Sequence, residues 1–519
     1  MPYLRILLCV LLLIPTDTSH SDENWPQAFG PQLNWKLPQG TAPTKWSVVR
    51  EENIVWKTTL PEGGQSSITV WGDKAFLTCH KELKSDADIK TSTDIVGYCL
   101  NADTGQILWR VDIPGSVAVG TAGIFSDATV FAPITDGKHV WFFNRSGAIA
   151  CFTFEGKQVW LREYRPRNRH TNRQCEPILF GDQIITVEVA DKDKGALIGR
   201  HKPVPSSINQ KDVWTFLHGR DKSTGKVLWR EAVGTVIHHT PSIGFLESGL
   251  PAIVHARGGA HQPLETPAGL SLTSIAPGRE GNTLWSASLP KLDPPFNSHW
   301  NEKHVYAFHN QDHIVLDTKT GAELSRRNLN EDVSIWRRAE TGWMLEKHAS
   351  VKAGRKHANT NQTNIVVGDW HYFLAHDIIA IGRVNVLDGR VEYLEVPVQI
   401  DSTPEQSNLI WQKERFRAIE TNNSRGINLA ADKRASRHGW GHVSAASPIL
   451  VDRFLYFPIM NGTVYVIDAE AERLDDKALI AINDLGQAGK TWTLSQFSYA
   501  KKRLFIRTMK EAICIGTNE

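Results

Sequence analysis

Twenty histidines are scattered along the chain, and several stand where loops should emerge between strands. "VIHHTPS" places His238 and His239 just before a strand, "ASRHGWGHVSAASP" carries Arg437, His438, Trp440 and His442, and "RPRNRHTNRQCEP" carries Arg169 and His170. Imidazole is a common metal ligand that titrates near neutrality. Guanidinium pairs with anions and indole offers a stacking face. Brought together, these eight side chains would line a polar pocket for an anion, a sugar, a metal or a redox group. Kept apart, they serve as hydrogen-bonding groups within and between loops. His238 and His239 are adjacent, so on a strand they face opposite ways and do not readily share one metal. His255 and His261 follow in an insertion rich in Gly and Pro. No catalytic set and no metal-binding set is assigned.

Other chemistries find less support. Ser206-Ser207 lies in no nucleophile elbow, and no Gly-rich phosphate loop precedes a helix. The basic stretch from Trp160 to Arg173 reads as a solvated loop rather than a polyanion site. Asn144, Asn361, Asn422 and Asn461 head Asn-x-Ser/Thr triplets, which matter only where exported proteins are glycosylated. A formal charge of +2 over 519 residues argues against nucleic acid or an anionic membrane as the main partner. Of six cysteines, Cys79 and Cys99 flank one hairpin and could form a disulfide. Cys99, Cys151 and Cys514 share one position of a repeat, where a small buried residue suits better.

That repeat is what must position any site. "GYCLNADTGQILWR" (Gly97 to Arg110) recurs as "GRDKSTGKVLWR", "VLDTKTGAELSR" and shorter forms. A tryptophan follows the glycine by four residues in Gly105–Trp109, Gly156–Trp160, Gly225–Trp229 and Gly281–Trp285. An acidic residue can bond to amides at the corner, and glycine supplies a positive φ. Alternation along the following strand then points every indole the same way. Each copy is preceded by a polar turn and a strand, as in "VWGDKAFLT" and "LFGDQIITV"; eight such signatures occur. The turn glycines lie 40 to 69 residues apart, room for about four strands per unit, which is the mark of a β-propeller blade.

The last unit, Thr491 to Gly516, shows three strands, and "NIVWKTTL" near residues 53–60 is a strand without a hairpin. Pairing the two closes a ring and removes open edges. The expectation is an all-β, eight-bladed propeller of four-stranded antiparallel blades. Arg5 followed by the apolar run Ile6 to Ile14 reads as a secretory signal, too short to span a bilayer. The division expected is therefore 1–21 signal, 22–52 N-terminal extension and 53–519 propeller, with a periplasmic or extracellular location.

The stretches "NWPQAFGPQ" and "ENIVWKTTLPEGGQSSITVWGDKAFLTC", with the Asp-x-Thr-Gly-x-x-x-Trp hairpins, closely resemble bacterial PQQ-like (pyrroloquinoline-quinone-like) β-propeller repeat proteins of the quinoprotein alcohol dehydrogenase-like superfamily. The usual Phe-Arg-Gly-Pro is Ala28-Phe29-Gly30-Pro31 here. The resemblance implies one of two roles. Quinoprotein dehydrogenases hold PQQ and calcium on the propeller axis, many beside a vicinal disulfide. This chain has no Cys-Cys pair, and no calcium-ligand or catalytic Asp motif matches. Outer-membrane assembly lipoproteins instead use propeller loops to hold a partner, although this chain lacks a lipid-attachment cysteine. The leading expectation is a non-catalytic scaffold that binds a protein, small-molecule or glycan ligand. The alternative is a PQQ-dependent dehydrogenase of alcohols or sugars, using the His, Arg and Trp residues near the channel mouth.

Overall fold

At each corner of the repeat, one side-chain oxygen organises the turn. Asp221 Oδ1 accepts from the Thr224 amide and hydroxyl, both at 2.7 Å, and Asp317 does the same for Thr320. In the first copy the acceptor is Asn101 rather than the exposed Asp103. The chain then turns through Gly105, Gly225 and Gly321 at φ of 70° to 73°, a conformation that glycine adopts without a Cβ penalty.

The computed structural model describes residues 23–82, 91–117, 119–120, 128–166, 175–189, 198, 202–234, 239–257, 268–289, 297–351, 363–418, 420–422, 426–428, 440 and 446–517. Eight antiparallel sheets stand in a ring, and the first strands of successive blades neighbour one another around its axis. All eight turn-plus-strand signatures form the inner hairpin of a blade, from Thr69–Trp71 with Lys74–His80 in blade 1 to Ser498–Ala500 with Arg503–Arg507 in blade 8. Ile54–Thr59 pairs with Glu511–Ile515 and supplies the fourth strand of blade 8. The ring is closed by its own beginning.

The repeated indoles lock each blade to the next. Trp56 Nε1 donates to Ala102 O at 2.9 Å, Trp109 to Phe154 O at 2.9 Å, Trp160 to Lys222 O at 3.2 Å and Trp285 to Thr318 O at 2.7 Å. In each case the ring lies over the turn glycine of the following blade: Gly105, Gly156, Gly225 and Gly321. A Cβ at Gly105 would stand 2.6 Å from the Trp56 ring. Trp229 lies 3.6 Å from where a Cβ of Gly281 would be, but gives its hydrogen bond to Gln183 of its own blade. In blade 5, where Ser325 replaces the indole, Arg327 makes the link and donates to Gly389 O at 2.8 Å.

A small residue faces each of several indoles across the strands. Cys99 pairs with Trp109, Cys151 with Trp160, Gly219 with Trp229 and Cys514 with Trp56. This arrangement overturns the Cys79–Cys99 pairing. The register sets Cys79 against Val96 while Cys99 stands between Phe76 and Trp109, so the two thiols do not face each other.

Three blades depart from four strands. Val333–Ala339 joins the outer edge of blade 6 in parallel with Val391–Glu395 and turns back as Gly342–Ala349, giving six strands. Blades 1 and 7 each gain a two-residue strand at the inner edge, Asn24–Trp25 and Lys36–Leu37. The segment expected as an extension therefore runs inside the ring.

Candidate functional site

The axis is where a propeller brings distant residues together, and here the N-terminal segment occupies it. Gly72 N donates to Asn24 Oδ1 at 2.8 Å in blade 1, and Thr135 N to Pro26 O at 2.9 Å in blade 2. The Gln27 amide engages both backbone groups of Leu179 in blade 3, at 2.8 and 3.2 Å. The Gln496 amide before blade 8 donates to Ala28 O. Leu450 N and Asp452 N of blade 7 donate to Trp35 O and Leu37 O at 2.9 Å each. The segment thus bonds to five blades. Its backbone reverses between Phe29 and Trp35, with Trp35 N donating to Phe29 O at 2.8 Å and the rings 4.8 Å apart.

The reason lies in the side chains. Trp25 and Phe29 are 0% exposed and Trp35 is 3% exposed, packed in one apolar cluster with Ile178, Ile243, Ile365 and Ile449 of the inner strands. Burying three aromatics contributes on the order of 2 to 3 kcal/mol each. A Cβ at Gly30 would lie 2.8 Å from the Trp25 ring, so the glycine lets the chain pass.

Beside this segment lies a network that the sequence reading missed. The His299 ring of blade 5 lies tilted against Trp35 with centroids 5.4 Å apart, and one of its ring nitrogens lies 3.0 Å from Asn364 O in blade 6. His371 reaches Asn364 Oδ1 at 3.0 Å and His313 at 3.0 Å, and Asn364 Nδ2 donates to Asn297 Oδ1 at 2.9 Å. Burial holds His299 and His313 at about 3 and pushes His371 well below its ordinary value. These imidazoles are neutral, linked to one another and fully enclosed. Lys36 stands near His299 and His371, and burial lowers it to about 8.

Of the eight residues expected at the channel mouth, Arg169, His170, His238, Arg437, His438 and His442 lie outside the described residues. His239 is fully buried, 3.2 Å from Ser298 Oγ, with burial lowering it to about 3. Trp440 is a wedge between blades 6 and 7: its Nε1 donates to Val398 O at 3.1 Å, and its ring packs on His376 and Tyr465. Their partners differ, and both are packed rather than presented. His255 lies in the second strand of blade 4 rather than in an insertion, 2.9 Å from Thr273 Oγ1; His261 is outside the described residues.

Calcium requires several oxygen ligands, carboxylates foremost. The described side chains around the axial segment offer imidazoles, indoles and amides whose oxygens are already engaged. Glu176 spends one carboxylate oxygen on the Ala132 amide at 3.1 Å. Among the described residues no group of three His, Cys, Asp or Glu is placed to hold a metal. The described side chains around the segment thus offer no carboxylate cage for calcium.

The fold is that of the quinoprotein alcohol dehydrogenases. Europium-containing methanol dehydrogenase superposes at a TM-score of 0.52 and 10% identity, over 93% of this chain and 89% of that one. Quinohemoprotein alcohol dehydrogenase from Comamonas testosteroni superposes at 0.50 and 11%, over 97% and 82%. BamB from Moraxella catarrhalis aligns over 90% of this chain and 98% of its own, at 11% identity and a TM-score of 0.47. Identities this low define the architecture and leave activity to the site. No protein-family model matches the chain, and no curated protein is similar to it.

Proposed function

We propose that the chain is an exported propeller serving as a binding or assembly scaffold, with no reaction of its own. One observation supports this reading above the rest: Trp25, Phe29 and Trp35 occupy the axis on which the dehydrogenases of this resemblance hold their quinone. The loops leading into the inner strands would then present Arg169, His170, His238, Arg437, His438 and His442 to a protein, small-molecule or glycan ligand. The signal-like run Ile6 to Ile14 supports export in this reading. Among the described residues no helix is long and apolar enough to cross a membrane.

The test is reconstitution of the purified protein with PQQ and calcium, followed by absorbance and by dye-linked oxidation of alcohols and sugars. The scaffold reading predicts neither stoichiometric uptake of the quinone nor dye reduction. Tight stoichiometric uptake with turnover would replace it with the PQQ-dependent dehydrogenase.

A further inference from the structure

Far from the axis, between blades 2 and 3, lies a groove of about 440 Å³. Outer strand Gln158–Glu163 borders it on one side, and Thr215–Asp221 with Val227–Gly234 on the other. At its floor Glu188 Oε1 accepts from Thr186 Oγ1 at 2.7 Å and from Arg220 at 2.6 and 2.8 Å. Glu188 Oε2 accepts from Arg165 N at 3.1 Å. Arg220 also donates to Gly225 O at 3.1 Å and Glu163 O at 3.4 Å. The floor pair is spent on itself.

What is left over is positive. Arg162, Arg165, Arg220, Lys226 and Arg230 line the groove together with the carboxylates Glu163 and Glu188. Glu163 is engaged by Arg165 at 2.8 and 3.0 Å. Arg162 stacks 6.0 Å from the Trp160 ring and donates to Leu161 O, with no carboxylate partner among the described residues. Lys226 likewise has no ion pair among them. Arg230 lies 3.8 Å over the Phe216 ring. Between rim and floor sits His218, 8% exposed, with Nδ1 3.0 Å from Glu188 Oε1 and Nε2 without a hydrogen-bond partner among the described residues. A buried polar nitrogen without a partner costs about 1 to 3 kcal/mol, and a ligand or a water at the groove floor would relieve that cost.

We infer that this groove is a binding site for a small ligand bearing clustered tetrahedral oxyanions, a phosphate or a sulfate ester. Arg162 and Lys226 take the charges at the rim, and His218 Nε2 meets a polar atom at the floor. The inference is independent of the scaffold reading, because the groove lies at the outer edge of two blades and shares no residue with the axis.

The experiment is calorimetric titration of the full chain with inorganic pyrophosphate and, separately, with a sulfated disaccharide. One probe or both should bind saturably at one site per chain, and the tighter of the two tells a phosphoryl ligand from a sulfate ester. The double variant Arg162→Glu/Lys226→Glu changes only exposed side chains and should weaken binding about tenfold or more, with a smaller salt dependence. His218→Phe should weaken binding while leaving that salt dependence unchanged. Failure of both probes to saturate, or binding that the double variant leaves intact, would overturn the assignment.

Discussion

Trp56 stands directly opposite Cys514 across the strands that close the ring. The indole belongs to the chain's beginning and the thiol to its end, and the same ring lies over Gly105 of the next blade. One side chain therefore joins the closing strand Ile54–Thr59, the last strand and the first corner. Trp56→Ala is expected to destabilise the fold by about 3 to 5 kcal/mol, as a large buried aromatic does. Urea unfolding measures it, and a loss under about 1 kcal/mol would mean that the ring does not depend on this closure.

Where the indole is missing, an arginine carries the joint. Arg327 donates to Gly389 O, Glu331 O and Asp332 O, each at 2.8 Å. Arg327→Ala should cost about 1.5 to 3 kcal/mol in urea unfolding, the range for hydrogen bonds from a charged group. No measurable loss would show that blades 5 and 6 are held by apolar packing alone.

The enclosed imidazoles make stability depend on pH. His239, His255, His299 and His313 are held by burial at about 3, below the ordinary 6.5. Below 6.5 the unfolded chain takes up protons that the fold refuses. Stability is thus complete above about 6.5 and falls as pH drops toward 3. Each imidazole contributes about 1.4 kcal/mol per pH unit within that window. The urea midpoint should fall steadily as pH is lowered from neutrality, and His255→Gln should flatten the slope by one proton. A midpoint that does not move with pH contradicts this burial.

Burial also pushes the Cys99, Cys151 and Cys514 thiols up to about 12, so they remain protonated and inert. Alkylation of the native protein should label the partly exposed Cys175 ahead of these three, which react only on unfolding. A non-reducing peptide map joining Cys79 to Cys99 would contradict the strand register.

Much of the ring is legible in the chain because its parts are local. A corner glycine, an indole four residues later and a period-two strand all fall within a dozen residues. The axial segment is not legible. Asn24–Trp25 and Lys36–Leu37 are two residues each, too short to show any periodicity, and their partners sit on separate blades. Alternation tells which face of its own sheet His313 or His371 occupies, but not which neighbouring sheet that face meets. Trp440, in a loop of polar residues, reads as pocket lining, although its ring is shared between two blades. Cys79 and Cys99 fail as a pair because flanking one hairpin does not bring two residues into register.

The account rests most heavily on the axis being filled by the chain's own beginning. Hydrogen exchange followed by mass spectrometry on the peptide covering residues 24–37 tests this directly. Protection as strong as that of the closing strand Glu511–Ile515 is the predicted result. Exchange as rapid as that of an unstructured peptide would contradict it, and would leave the axis open to a ligand.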